Sequence, residues 1–65
     1  MNWDQVKGSW HQLKGRAREQ WGKLTDDEIE RIGGSRETLA GLIQEKYGVA
    51  REEAERQADE WTKRL

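Results

Sequence analysis

The sequence contains no cysteine, a single histidine, no long apolar run and no excess of either charge. Without thiols there is neither a disulfide framework nor a thiolate zinc site, which agrees with a reducing compartment. No apolar run exceeds two residues within the first thirty, so that stretch holds neither the h-region of a secretory signal nor a transmembrane helix, and the expected location is cytoplasmic. Twelve Lys and Arg stand against thirteen Asp and Glu, a net charge of −1, so whole-chain electrostatics select neither a polyanion nor a polycation as partner. No segment alternates apolar and polar residues over four or more positions, which excludes a half-buried strand.

What is present fits one small domain spanning residues 1–65. A chain of this size buries only about 60% of its unfolded surface and has little interior volume for a ligand cavity, so a buried active site is not expected. Mean hydropathy, at −1.24, is low enough to raise disorder as a question. Patterning answers it. At helical spacing Trp3, Val6, Trp10, Leu13, Ala17, Trp21 and Leu24 fall within an arc of roughly 80°. Asn2 with Gln5 forms a capping-box pattern, and Gly22 stands where a terminating glycine would, so the first helix is expected over residues 3–22.

Thr25-Asp26-Asp27-Glu28 is a second capping box with its carboxylates in the first turn; the short helix that follows offers Ile29 and Ile32 to a core before Gly33-Gly34 stops it. Ser35 caps a third helix carrying Leu39, Leu42, Ile43 and Tyr47 and ending at Gly48. From about residue 50, Ala54, Ala58, Trp61 and Leu65 mark a fourth helix, although Ala50 offers no side-chain cap. The connections are short, so the expected architecture is all-α: a compact bundle of four short helices arranged as two packed helical hairpins. Gly8, Gly15 and Gly22 recur every seven residues opposite the Trp stripe, either as tolerated weak points or as a face that another backbone approaches closely.

The chemistry available is sparse. Ser9 projects about 160° away from His11 around the helix, so no Ser–His pair forms locally. Asp26, Asp27, Glu28 and Glu30 lack the spacing of a calcium loop and are better explained as caps and dipole partners. Gly33-Gly34-Ser35-Arg36 could present amides and a guanidinium to a phosphate, yet no strand precedes it and a tight turn explains it more simply. Neither enzymatic activity, a cofactor nor a metal is expected.

The segments differ in charge. Residues 1–24 carry Lys7, Lys14, Arg16, Arg18 and Lys23 against Asp4 and Glu19, while residues 25–34 carry four acids and Arg31. Lys7, His11, Lys14 and Arg18 lie in a row beside the Trp stripe and form the candidate interaction surface. Such a row could meet a nucleic-acid phosphate track or, with the tryptophans inserted, an anionic membrane. Otherwise the tryptophans are the core and the basic row is a solvated face turned toward the acidic second helix.

The strings Trp10-His11-Gln12-Leu13-Lys14-Gly15-Arg16-Ala17-Arg18-Glu19-Gln20-Trp21-Gly22-Lys23-Leu24-Thr25-Asp26-Asp27, Gly41-Leu42-Ile43-Gln44-Glu45-Lys46-Tyr47-Gly48 and Glu53-Ala54-Glu55 resemble the CsbD family of small bacterial stress-response proteins. The resemblance covers nearly the whole chain. It implies a bacterial cytoplasmic protein with a small four-helix fold that accumulates in the general stress response, with no agreed biochemical activity and no catalytic residues to carry over. One departure is Val49-Ala50, where relatives often place a polar cap. The expected function is that of a noncatalytic stress protein making weak contacts with a macromolecular partner, without specific nucleic-acid binding; the alternative is an anion-binding module built on the basic row.

Overall fold

Three of the helices begin at a polar side chain that accepts from an amide of the first turn, and one continues across a single non-helical residue from the helix before it. In the computed structural model, which describes all 65 residues, α1 spans Trp3–Gly8, α2 Trp10–Gln20, α3 Asp26–Ile32, α4 Arg36–Tyr47 and α5 Arg51–Lys63. At the start of α1 the Gln5 N–H donates to Asn2 Oδ1 (2.8 Å) and the Asn2 N–H donates to Gln5 Oε1 (3.0 Å). Thr25 and Glu28 repeat this exchange at α3, at 3.2 and 2.9 Å, and Ser35 Oγ accepts from the Thr38 N–H at 3.3 Å to open α4. Ala50 supplies no such bond; instead Arg51 anchors the first turn of α5 by donating to Glu55 and Gln44. Gly33 and Gly48 end α3 and α4 at φ of 56° and 66°, left-handed positions that glycine occupies without a Cβ penalty.

The chain is all-helical, as its periodicity indicated, but it has five helices rather than four. The helix expected over residues 3–22 is interrupted at Ser9, whose φ and ψ of −111° and 14° leave the helical region for one residue. Gly–Ser pairs are weak points where helices kink, and here the segment before the kink is drawn toward α5. The Trp3 indole N–H donates to Asp59 Oδ1 (3.1 Å), and the Met1 ammonium donates to the Thr62 carbonyl (2.9 Å). The far end of the expected helix is also shorter. Trp21 already departs from helical geometry at φ −125°, ψ 77°, and Gly22 lacks the positive φ of a terminating glycine.

Trp10, Trp21 and Trp61, all buried, meet at the centre of the core. The Trp61 ring is met edge-on by Trp10 (6.1 Å between centroids) and Trp21 (5.3 Å), an arrangement that places ring edges against π faces. The Trp10 N–H donates to the Ile29 carbonyl at 2.9 Å and the Trp21 N–H to Gln57 Oε1 at 3.2 Å. Both indoles therefore bury their area without stranding a donor. Around them pack Val6, Leu13, Ala17 and Leu24, Ile29 and Ile32, Leu39, Leu42 and Ile43, and Ala54 and Ala58. The small Ala54 and Ala58 lie on α5, which forms the most extensive helix pair with α4; α2 packs on α3, and α3 on α4.

One close approach fixes α1 in place. Gly34, buried at φ 86°, runs so near α1 that a Cβ there would lie 2.4 Å from Lys7 Cα and 2.8 Å from Lys7 N. Gly8, Gly15 and Gly22, where a close backbone neighbour was one expectation, have nothing within 4 Å of a Cβ position. The close-packed glycine is thus the one between α3 and α4.

Candidate functional site

The basic row is split between two helices, with Lys7 on α1 and His11, Lys14 and Arg18 on α2. Lys7 and His11 are exposed and neither makes an ion pair. Lys14 pairs with Glu30 and Arg18 with Asp26, so half of the row is engaged by the acids of α3. The hydrogen bond from Lys14, aided by its charge, holds the Glu30 carboxyl below the ordinary glutamate range. Between the two pairs, α2 and α3 leave an open groove of about 260 Å³ lined by Lys14, Gly15, Arg18, Asp26, Ile29 and Glu30. Gly15, without a side chain, keeps that groove from being filled.

The remaining acids of α3 follow from its capping. Glu28 closes the capping box and also meets Lys46 of α4 at 2.9 Å. The Thr25 amide, and then Lys46, hold its carboxyl below the ordinary range. Gly33-Gly34-Ser35-Arg36 is likewise taken up by the fold. Gly33 ends α3, Gly34 lies against α1, Ser35 caps α4, and the Arg36 guanidinium grips Asp59. No three His, Cys, Asp or Glu side chains converge on a point that could hold a metal ion.

A second polar cluster, centred on Asp59, escaped the sequence reading. Arg36 grips its carboxylate through Nε at 2.8 Å and Nη2 at 2.9 Å, while Trp3 donates to the same Oδ1. The Arg36 fork, joined by the Trp3 N–H, holds the Asp59 carboxyl below its usual value, and Asp59 in turn raises the Arg36 guanidinium. Arg36 also lies 3.6 Å from Glu55. Three helices are joined here through residues 3, 36 and 59, separations at which no local spacing could have shown the link. By contrast, the Glu53–Arg56–Glu60 chain on α5 obeys the i, i+3 and i, i+4 rule and was legible in principle.

The tryptophans are engaged in the interior. Trp10, Trp21 and Trp61 are 6%, 1% and 4% exposed, and Met1 is the one exposed large apolar side chain. No helix is long and apolar enough to cross a membrane. Tyr47 is half-buried, its hydroxyl accepting from the Lys23 N–H at 3.1 Å while the Lys23 ammonium stands 5.1 Å from the ring centroid.

Comparison with known proteins agrees with the resemblance read from the residues. The profile of the family described as CsbD-like matches residues 4–56. The UPF0337 protein YjbJ of Escherichia coli O6:H1 is 52% identical over 64 residues, covering 98% of this chain and 93% of its own. The UPF0337 protein ECA0631 of Pectobacterium atrosepticum is 54% identical over 61 residues, or 94% of this chain and 88% of its own.

Proposed function

The chain belongs to the CsbD-like family, and from that premise we propose that it is a noncatalytic protein of the bacterial general stress response that works in the cytoplasm through weak, polar contacts with macromolecules. One observation carries this reading: the interior is filled by the tryptophan-centred core, and the charged groups stand outside it, about half of them joined in eight ion pairs. Acid–base or covalent catalysis needs a nucleophile, base or acid held together in a recess. Two of the open grooves of this surface are lined by polar and charged residues alone, some of them paired, as Arg64 with Gln20 and Arg36 with Asp59. A tight protein interface would in turn need an apolar centre, and Met1 alone is exposed.

The test is to follow the chain by immunoblot through salt, heat and nutrient stress, with a photo-cross-linking residue at His11 in parallel with one at Glu45. Accumulation under stress, with cross-links that fade as salt is raised, is expected. Constant abundance, or a partner retained undiminished at high salt, refutes the reading.

A second reading, an anion-binding module on Lys7, His11, Lys14 and Arg18, is favoured by the position of Lys14 and Arg18 on the rim of an open groove. For a membrane surface, insertion of an apolar face is required, and the buried tryptophans leave none.

A further inference from the structure

We propose that the Lys14–Arg18 edge of α2 is a sequence-independent contact for the phosphate backbone of duplex nucleic acid, and that α3 masks it with Glu30 and Asp26 seated on the two cations a phosphate would take. The proposal rests on the anion-binding reading above and specifies its ligand and its control.

The geometry supports an exchange of carboxylate for phosphate. His11, Lys14 and Arg18 lie along one edge of a single helix, seven residues from first to last, or about 10 Å at the helical rise. A nucleic-acid strand carries a charge about every 3.4 Å of axis, but because it winds around that axis its neighbouring phosphates stand about twice as far apart, so this edge meets about two phosphates, one each for Lys14 and Arg18. In each ion pair the acid stands further into solvent than the base: the side chains of Lys14 and Glu30 are 29% and 62% exposed, those of Arg18 and Asp26 48% and 86%. Pairs so exposed are held weakly, and an incoming oxyanion can replace the carboxylate without breaking the core. Gly15 and Ile29 floor the groove between the two pairs, with open space over Gly15 for a phosphate oxygen.

The class of ligand follows from what the surface omits. Single-strand binders stack bases on exposed aromatic rings. Here Trp10, Trp21 and Trp61 are buried, Trp3 is bonded to Asp59, and the Tyr47 ring lies beneath Lys23. Charge without stacking or insertion leaves the duplex backbone. Masking makes the unmodified protein a weak binder in this proposal, because Glu30 and Asp26 cancel two of the three permanent charges on the row and only Lys7 stays unpaired.

The experiment compares the unmodified protein with D26N/E30Q by fluorescence anisotropy on a labelled mixed-sequence duplex, between about 50 and 200 mM salt. The expected result is about tenfold tighter binding at the low-salt end, and a log–log salt slope steeper by about 1.8, near 0.9 for each freed cation. The control is E45Q/E52Q, which removes the same charge from exposed acids outside any ion pair and should change affinity less than about threefold. Adding K14A/R18A to D26N/E30Q should abolish the gain. Should the double variant fail to give the native circular dichroism spectrum, E30Q alone carries the test, with a slope change of about 0.9. An equal gain in E45Q/E52Q, an unchanged slope, or binding confined to single strands or to phosphatidylglycerol vesicles overturns the proposal. If no variant binds duplex while the salt-sensitive cross-links at His11 persist in cells, this proposal falls and the noncatalytic reading stands.

Discussion

Replacing Gly34 by Ala tests the packing of the fold most sharply, because a single methyl group meets backbone on the far side. The added Cβ would lie 2.4 Å from Lys7 Cα, 2.8 Å from Lys7 N and 3.1 Å from the Val6 carbonyl oxygen. None of these atoms can turn aside as a flexible side chain can, so α1 must move as a body. The φ of 86° adds a second cost, about 1–2 kcal/mol for a residue with a Cβ in left-handed space. Overpacking contributes about 1–3 kcal/mol more, and part of the burial of Val6 goes with the displaced helix. The sum, about 2–5 kcal/mol, is a large share of the roughly 3–10 kcal/mol expected for a domain of this length. At about 4–8 °C per kcal/mol the thermal midpoint should fall by at least about 8 °C. Far-UV circular dichroism melts measure it. Gly15→Ala is the matched opposite: nothing lies within 4 Å of its Cβ, the residue is inside α2, and the midpoint should rise by the helix-propensity gain of up to ~1 kcal/mol. A Gly34→Ala midpoint within about 4 °C of the parent, or the same sign for both substitutions, would refute the close approach of Gly34 to α1.

Two further outcomes follow from the core and from the carboxylates. Trp10→Ala removes a buried ring, its edge contact with Trp61 and the donor to Ile29, and should cost about 3–5 kcal/mol, enough to leave the chain largely unfolded in urea titrations begun near zero denaturant; an unchanged midpoint would refute its central place. Glu28, Glu30, Glu53 and Asp59 are all held below their ordinary values in the folded chain. A carboxyl lowered on folding stabilises above its unfolded value and loses that contribution as pH falls through the folded one. Thermal midpoints should therefore be level from neutrality to about pH 5 and decline below about pH 4, with Asp59→Asn showing a shallower decline than the parent; a midpoint that holds level to about pH 2 would refute the pairing.

Residue order by itself determined the helical class, the starts of α1, α3 and α4 and the ends of α3 and α4, because each rests on interactions within four residues: Asn2 with Gln5, Thr25 with Glu28, Ser35 with Thr38, and a glycine at Gly33 and Gly48. It also indicated the apolar stripe of α1 and α2, and the row of Lys7, His11, Lys14 and Arg18 beside it, since helical periodicity alone sets which residues share a face. Tertiary structure decided the rest. The stripe runs unbroken through Ser9, so periodicity could not show the kink there, although the Gly8–Ser9 pair was a place where one could form; the pull comes from Asp59 and Thr62, more than fifty residues away. The same holds for Trp21 and Leu24, which reach the core from a loop, not along a helix face, and for Gly34, whose need to be glycine arises only where Lys7 passes it. In the candidate site, sequence supplied the four basic residues and the acids of α3, but which cation meets which carboxylate depended on how α3 docks on α2, and docking is set by the shape of the buried faces between them.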